Sequence, residues 1–356
     1  MKNRYDGLRR ELWSMPDGKR KLAVMEETIR IADQHMNVQE AYEARMEYTS
    51  AALESGCPER LYISFSWCLA QYDRDPGGYS SLEIMWQYKW VLNHLWRMPQ
   101  LGLDFIERVF DDFRDRCGKL GFTLRAYHQQ KVNFLLSQGH MKEAADEFRL
   151  WRGTPRDSLS DCRACEQNLF AEYYFRINHN KKGLQTLKPI LEGKLSCRAV
   201  PQNSYSQLMM PLLKLGEYDQ AAETAKKAYR LLNGPQYLIE YSVFIEFFTI
   251  MDMPKAVKLY ERTIQLGLDS KLPWDRFRYF LSVRLFLREW SKKKRRKRLA
   301  HSEQVTLEWL DGEIDRHIGA FNERNGNDYM DRYIAEKEQF VHRLADKRDG
   351  GTFGKP

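Results

Sequence analysis

A tight turn at Gly216-Glu217 joins two short amphipathic segments, and this hairpin most constrains what the chain can fold into. The stretch runs from Gln207 to Leu231 with the sequence QLMMPLLKLGEYDQAAETAKKAYRL. Glycine permits the turn conformation that a side chain would oppose. Beyond the turn, small side chains that let two helices approach closely recur at helical spacing: Ala221, Ala225 and Ala228. The stretch therefore predicts two antiparallel helices.

Small residues recur at the same place in three further predicted hairpins. The four positions are Ala144, Gly183, Ala221 and Ala256, which are 39, 38 and 35 residues apart. The order of Gly, aromatic and Ala residues resembles the tetratricopeptide repeat (TPR), a 34-residue helix-turn-helix unit. The chain also resembles uncharacterised bacterial TPR-like helical proteins that carry a DCxxCE segment. This resemblance implies an all-α fold, a right-handed superhelical solenoid of TPR-like helix-turn-helix repeats with a C-terminal helical cap.

The composition agrees with a folded helical chain. Hydrophobic residues make up 43% and charged residues 30% of the sequence, which argues against global disorder. The repeat pattern predicts degenerate N-terminal helical repeats over 1–121, a regular TPR-like array over 122–270, C-terminal helices over 271–345 and a flexible tail over 346–356. The Trp-rich helix over 82–96 is interpreted as inter-helix packing.

The resemblance implies a concave groove that is lined by the first helix of each repeat and that usually holds a peptide or helix of another protein. With the register set by the small residues, the groove-facing positions are Gln129, Asn133, Asn168, Glu172, Asn203, Ser206 and Tyr241. An Asn amide can pair with a backbone N–H and C=O together. An ordinary solvated helix face favours the same residue types, so both interpretations stay open. The basic residues of a chaperone-type carboxylate clamp are not evident here.

Two cysteines three residues apart form the sharpest local motif. Cys162 and Cys165 would lie on one face of a helix, which suits two thiolate ligands of one zinc ion, the one cofactor that the sequence suggests. In the repeat register, stacking would bring Cys197 and Gln202 close to them. The TPR-like proteins that the chain resembles have His at the place of Gln202, so His179 or water would complete the ligand shell. Packing of small thiols and a redox pair are the alternatives.

Seven consecutive basic residues supply most of the formal net charge of +8. They are Lys292, Lys293, Lys294, Arg295, Arg296, Lys297 and Arg298. Such a dense run must be exposed or bound to an anionic partner, because its charges repel one another. The candidates are nuclear import, nucleic-acid phosphate and an anionic membrane surface. A solvated turn between two helices is the alternative interpretation.

No catalytic motif stands out, since the sequence lacks G-x-S-x-G, H-E-x-x-H, Walker and G-x-G-x-x-G patterns. There is no secretory segment and no apolar run of about 18 residues, and six cysteines without an export signal predict reduced thiols in the cytoplasm. We therefore expect a cytoplasmic, non-enzymatic scaffold or regulator that binds a protein or peptide, with no membrane partner. One alternative is a nucleic-acid-associated regulator that contacts phosphate through Lys292–Arg298. A lesser alternative is a peptide-sensing regulator of the helical-repeat phosphatase type.

Overall fold

The computed structural model describes residues 1–293 and 298–349, and every regular element in these two ranges is a helix. This confirms the predicted all-α class. The four residues 294–297 of the basic run, and the part of the predicted tail from 350 onward, lie outside the described residues. Contacts between residues divide the chain into two compact units, with the main division between Ser160 and Asp161. The four segments predicted from the sequence were defined by the regularity of the repeats and not by contacts, so they stay a prediction.

The first unit comprises Met1–Ser160 with short returns at Gly234–Gln236 and Ser270–Leu272. Helices that are neighbours in the chain pack against each other, most extensively α2 with α3, α3 with α4, and α7 with α8. A short 3₁₀ helix at Pro58–Arg60 precedes α4. The described helices are α1 (Lys2–Ser14), α2 (Lys19–His35), α3 (Val38–Glu54), α4 (Leu61–Arg74), α5 (Ser81–Leu95), α6 (Leu103–Lys119), α7 (Arg125–Ser137) and α8 (Met141–Gly153).

The second unit comprises Asp161–Asn233, Tyr237–Asp269 and the chain from Pro273 onward. The described helices are α9 (Arg163–Arg176), α10 (Asn180–Leu191), α11 (Gln202–Leu215), α12 (Tyr218–Tyr229), α13 (Leu238–Met251), α14 (Met253–Asp269), α15 (Pro273–Lys292), α16 (Leu307–Asn325) and α17 (Tyr329–Asp349). The most extensive contacts of this unit join α13 with α15, α9 with α10, α13 with α14, and equally α11 with α12 and α15 with α16.

The predicted hairpins are present as packed helix pairs. Gly216 ends α11 in the left-handed region with φ of 80°, and α12 begins two residues later. Ala221 and Ala228 are buried against α11 as the small-residue spacing predicted. At Gly183, a Cβ atom would lie only 2.3 Å from the ring of Phe175, so the close approach of α9 and α10 requires glycine there.

Candidate functional site

A cavity of about 610 Å³ lies between α3 and α5 in the first unit. We call it the α3–α5 groove and define it by the lining residues on which its chemistry depends: Tyr42, Tyr79, Glu83, Trp86, Gln87 and Trp90. Asn37 forms a capping box with Glu40 at the start of α3, and Ser80 caps α5. These caps fix the two helix starts, so the lining side chains project from rigid helical turns.

Two residues that line the groove each carry a buried polar atom without a hydrogen-bond partner among the described residues. These atoms are Oη of Tyr42, whose residue is 3% exposed, and Oε1 of Gln87, whose residue is 4% exposed. The amide Nε2 of Gln87 donates to the carbonyl oxygen of Met46 at 2.9 Å, which holds α5 against α3. Burial raises the pKa of Tyr42, so its phenol is neutral and can donate as well as accept.

The rim of the groove is acidic. Glu43 and Glu47 on α3 both pair with Arg9 of α1, and the Glu43 contact is 3.5 Å. Glu83 is exposed in the first turn of α5 and has no ion-pair partner among the described residues. Its carboxylate is therefore available to a positively charged ligand.

Aromatic rings form the walls of the groove. Tyr42 stacks on Tyr79 with ring centroids 4.1 Å apart. The ammonium of Lys89 lies over the ring of Trp86, 3.2 Å from its centroid, and donates to the carbonyl oxygen of Leu159 at 3.0 Å. Trp86 lines the groove together with Trp90. Lys89 belongs to the same helix as Trp86, so inter-helix packing by the Trp-rich face stays a prediction. The sequence interpretation missed this site, although acidic residues between the aromatic ones were a signal for it.

The concave positions predicted from the repeat register lie mostly among packed helices. Gln129 is buried and Asn133 half-buried in the first unit, while in the second unit Asn168, Ser206 and Tyr241 are buried and Glu172 and Asn203 half-buried. Ser204 donates to Oδ1 of Asn168 at 2.5 Å, which ties α11 to α9. The hydroxyl of Ser206 donates to the carbonyl oxygen of Asn203 at 3.0 Å. Their role in binding a peptide stays a prediction.

The last helix, α17, lies against α13 and α15 of the second unit and also reaches α11. Lys337 pairs with the carboxylate of Glu246, a residue with 0% exposure on α13, and Ser282 donates to the same oxygen at 2.5 Å. Glu338 contacts the guanidinium groups of Arg284 and Arg288 on α15 at 2.7 and 2.6 Å. The covering helix therefore supplies charges opposite in sign to those of the groups beneath it, although Oε2 of Glu246 and Nε of Arg284 have no hydrogen-bond partner among the described residues.

Three thiols of the second unit come together as predicted. The Sγ atoms of Cys162, Cys165 and Cys197 all lie within 4.8 Å of one another, and those of Cys165 and Cys197 are 3.3 Å apart. Cys162 caps α9, and its sulfur accepts the backbone N–H of Cys165 at 3.3 Å. Burial raises the pKa of Cys162, but the hydrogen bonds that its sulfur accepts outweigh burial and leave the pKa below its ordinary value. Burial and the neighbouring thiols raise the pKa of Cys165.

The two other ligands considered for this cluster differ in placement. His179 caps α10 after α9 has ended, and a 14-residue helix is about 21 Å long, so His179 lies at the opposite end of α9 from Cys162. Gln202 begins α11, and its Oε1 atom is buried without a hydrogen-bond partner among the described residues. Within the described part of the chain, no His, Asp or Glu joins the group of three cysteines.

The described ends of the basic run pair with carboxylates of the chain itself. The Nζ atom of Lys292 lies 2.8 Å from Oε1 of Glu289 and 3.8 Å from Oδ1 of Asp346. Arg298 pairs with Glu303. The stretch 294–297 lies outside the described residues, so contact of the run with phosphate stays a prediction.

Comparison with known proteins adds no family to these observations, because no protein-family model and no curated protein matches the chain. In the described residues, no helix combines the length and the apolar character needed to cross a membrane.

Proposed function

We propose that this chain is a non-catalytic, cytoplasmic TPR-like protein that binds a segment of a partner protein, and that the α3–α5 groove receives a basic side chain of that segment. The observation that carries the proposal is the pair of unpartnered buried atoms, Tyr42 Oη and Gln87 Oε1. A buried polar atom without a partner costs about 1–3 kcal/mol. A ligand that donates hydrogen bonds to both atoms would recover this free energy.

The polar and charged groups of the groove indicate the charge of its ligand. Oε1 of Gln87 and the carboxylate of Glu83 can only accept hydrogen bonds, and Oη of Tyr42 can accept one as well, so the groove favours a donor with positive charge, as in Lys or Arg. The faces of Trp90 and Tyr79 add attraction for a cation, which is worth about 0.5–2 kcal/mol where the site is partly desolvated. An acidic peptide would instead meet the carboxylate of Glu83, which has no ion-pair partner among the described residues. The protein segment is therefore basic.

The helix pairs support the TPR-like part of the proposal. Four consecutive pairs, α7 with α8, α9 with α10, α11 with α12, and α13 with α14, pack through small residues at the predicted positions. Arrays of such pairs commonly present extended binding surfaces to partner proteins. The predicted concave residues are a second candidate surface, and in the second unit α17 lies over the helices that carry some of them.

The test measures binding of short fluorescein-labelled peptides to the full chain by fluorescence anisotropy. The peptides share a Gly-Ser-Ala background and carry Arg or Lys, norleucine, or Glu at matched positions. We expect binding of the basic series only, and we expect Glu83→Gln to weaken it about tenfold or more because a charged hydrogen bond is lost.

Glu143→Gln serves as the matched control, since Glu143 is an exposed carboxylate on α8 outside the groove. Its affinity for the basic peptides should equal that of the wild type. Equal binding of the norleucine and basic series would overturn the proposal, as would an affinity that Glu83→Gln leaves unchanged. Free L-arginine that competes as well as the best peptide would show a small-molecule site instead and would also overturn it.

A further inference from the structure

The geometry of the cysteine cluster suits one metal ion. Tetrahedral coordination with metal–sulfur bonds of about 2.3 Å places the sulfur atoms about 3.8 Å apart. In the second unit, the Sγ atoms of Cys165 and Cys197 are 3.3 Å apart, and all pairs including Cys162 lie within 4.8 Å. Small rotations of the three side chains therefore give the required spacing without movement of the backbone.

Two independent backbone segments hold the three sulfur atoms in place. Cys162 and Cys165 belong to the cap and the first turn of α9. Cys197 lies in a tight turn in which its N–H donates to the carbonyl oxygen of Val200 at 3.0 Å and the N–H of Val200 donates back at 3.3 Å. A site that is arranged before the metal arrives loses less conformational freedom on binding.

The start of α9 favours a thiolate at Cys162. Cys162 lies at the N-terminal end of this helix, where the helix dipole is positive, and its sulfur accepts the backbone N–H of Cys165. Thiolate ligands select thiophilic ions such as Zn²⁺ and Cd²⁺ over Mg²⁺ and Ca²⁺.

Simple packing does not explain the cluster. The isolated cysteines Cys68 and Cys117 are buried among apolar residues, where burial raises the pKa of each to about 12. Cys162 is exposed, and Cys165 and Cys197 are only half-buried, so their thiols do not fill a core. A disulfide would use two of the three sulfur atoms and leave the third without a role.

We propose that Cys162, Cys165 and Cys197 bind one thiophilic divalent cation per chain, with Zn²⁺ as the ion of this class and a fourth coordination position taken by water or an exogenous ligand. Among the described residues, no further His, Asp or Glu completes the shell. The ion would join the start of α9 to the turn that precedes α11, and this role is independent of the α3–α5 groove.

The experiment titrates the reduced, metal-free full chain with Co²⁺ and then displaces the cobalt with Zn²⁺. We expect thiolate-to-cobalt charge-transfer bands and the intense visible bands of tetrahedral cobalt, saturating at one equivalent and disappearing as Zn²⁺ is added. Cys162→Ser should weaken Co²⁺ binding by at least about 100-fold, because a thiolate ligand is lost. Cys162 is exposed, so this variant keeps its fold, which circular dichroism verifies.

Cys57→Ser is the matched control, because Cys57 is a half-buried cysteine outside the cluster. It should bind Co²⁺ as the wild type does. A reduced wild-type chain that shows no charge-transfer band would overturn the proposal, and so would equal loss of binding in the two variants. A Cys165–Cys197 disulfide found by mass spectrometry, together with failure of the reduced chain to bind Co²⁺, would identify a redox pair instead.

Discussion

The α3–α5 groove and the surface beneath α17 both contain buried polar groups, but they differ in whether the chain itself supplies partners for these groups. Both place polar groups on helix faces that are shielded from water. In the second unit, Glu246 is fully buried, and the chain itself supplies Lys337 and Ser282 as partners of its Oε1 atom, while its Oε2 atom has no hydrogen-bond partner among the described residues. In the first unit, Tyr42 Oη and Gln87 Oε1 have no partner among the described residues.

The difference indicates what each surface requires. A buried carboxylate without a counter-charge would be strongly unfavourable. In the second unit, Lys337 of α17 supplies this counter-charge. A neutral polar group without a partner costs less free energy than an unpaired charge. A groove lined by such groups can therefore stay folded without a ligand. In the α17 contact, a lysine on a helix reaches a buried carboxylate, and the basic ligand that we propose for the α3–α5 groove would make a contact of the same kind.

The largest effect should follow from loss of the internal partner. Lys337→Met removes the direct ion-pair partner of the buried Glu246 carboxylate and leaves the charge of Arg278 to act on it without a direct ion pair, and we expect a loss of about 3 kcal/mol in the free energy of unfolding. Thermal unfolding followed by circular dichroism measures the loss. Hydrogen exchange of α13 and α17 locates it in the second unit.

Two controls separate this effect from a general loss of charge on α17. Arg332→Met removes a cation that pairs with Asp328 on the exposed face, and it should cost at most about 1 kcal/mol. The double variant Lys337→Met with Glu246→Gln should recover most of the stability, because the carboxylate that lost its partner is removed as well. If the double variant is as unstable as Lys337→Met alone, the ion pair is not what holds α17 in place.

The next effect is a pH dependence in α5, the helix that lines the groove. Burial, together with the positive charge of Arg97, lowers the pKa of His94 to about 3, although its Nδ1 atom lies 2.8 Å from the carbonyl oxygen of Trp90. An unfolded chain protonates this histidine below a pH of about 6.5, and the folded chain does not. The contribution of His94 to stability is therefore complete above that pH and falls by about 1.4 kcal/mol per pH unit down to the folded pKa.

Unfolding at pH 7 and pH 5 measures this dependence. From pH 7 to pH 5 we expect the contribution of His94 to lower the free energy of unfolding by about 2 kcal/mol, and His94→Gln should make this decrease smaller. His317 in α16 of the second unit provides the comparison. Burial lowers its pKa as well, but the nearby Glu313 carboxylate, 3.3 Å from Nε2, opposes the shift. His317→Gln should therefore change the pH dependence less. An identical pH dependence in the wild type and His94→Gln would contradict the assignment.

The elements that local signals specify could be predicted from the sequence. Gly216 and the alanines after it identified the hairpin, and the structure has a left-handed turn residue and buried alanines there. The spacing of Cys162 and Cys165 placed both thiols at one helix start, and the repeat register correctly brought Cys197 to them. These predictions succeed because each depends on helical periodicity and the stacking of neighbouring hairpins.

The features that were missed depend on contacts distant in the sequence. No periodic signal pairs Tyr42 with Tyr79 or Gln87 with Met46, because such contacts are set by the angle at which α3 and α5 meet. The pairing of Lys337 with Glu246 joins residues 91 positions apart. The amphipathic pattern could indicate that a last helix exists, but it could not show which buried charge that helix would neutralise.

The smallest expected effect concerns two buried tyrosine hydroxyls of α3, one without a hydrogen-bond partner and one with a partner. Tyr42→Phe removes an oxygen that has no partner, so we expect the free energy of unfolding to stay constant or rise by up to about 1 kcal/mol. Tyr48→Phe removes a hydroxyl that donates to Oε1 of Glu26 at 2.6 Å, and it should cost about 1.5 kcal/mol. Thermal unfolding compares the stability of the two variants.

Peptide anisotropy then tests binding by the same two variants. Tyr42→Phe should weaken the affinity for the basic peptides, while Tyr48→Phe leaves it unchanged, because an unpartnered atom in the proposed ligand groove contributes to binding and not to folding. Equal destabilisation by the two substitutions would mean that Tyr42 has an internal partner and that the groove has no unsatisfied acceptor to offer at that position.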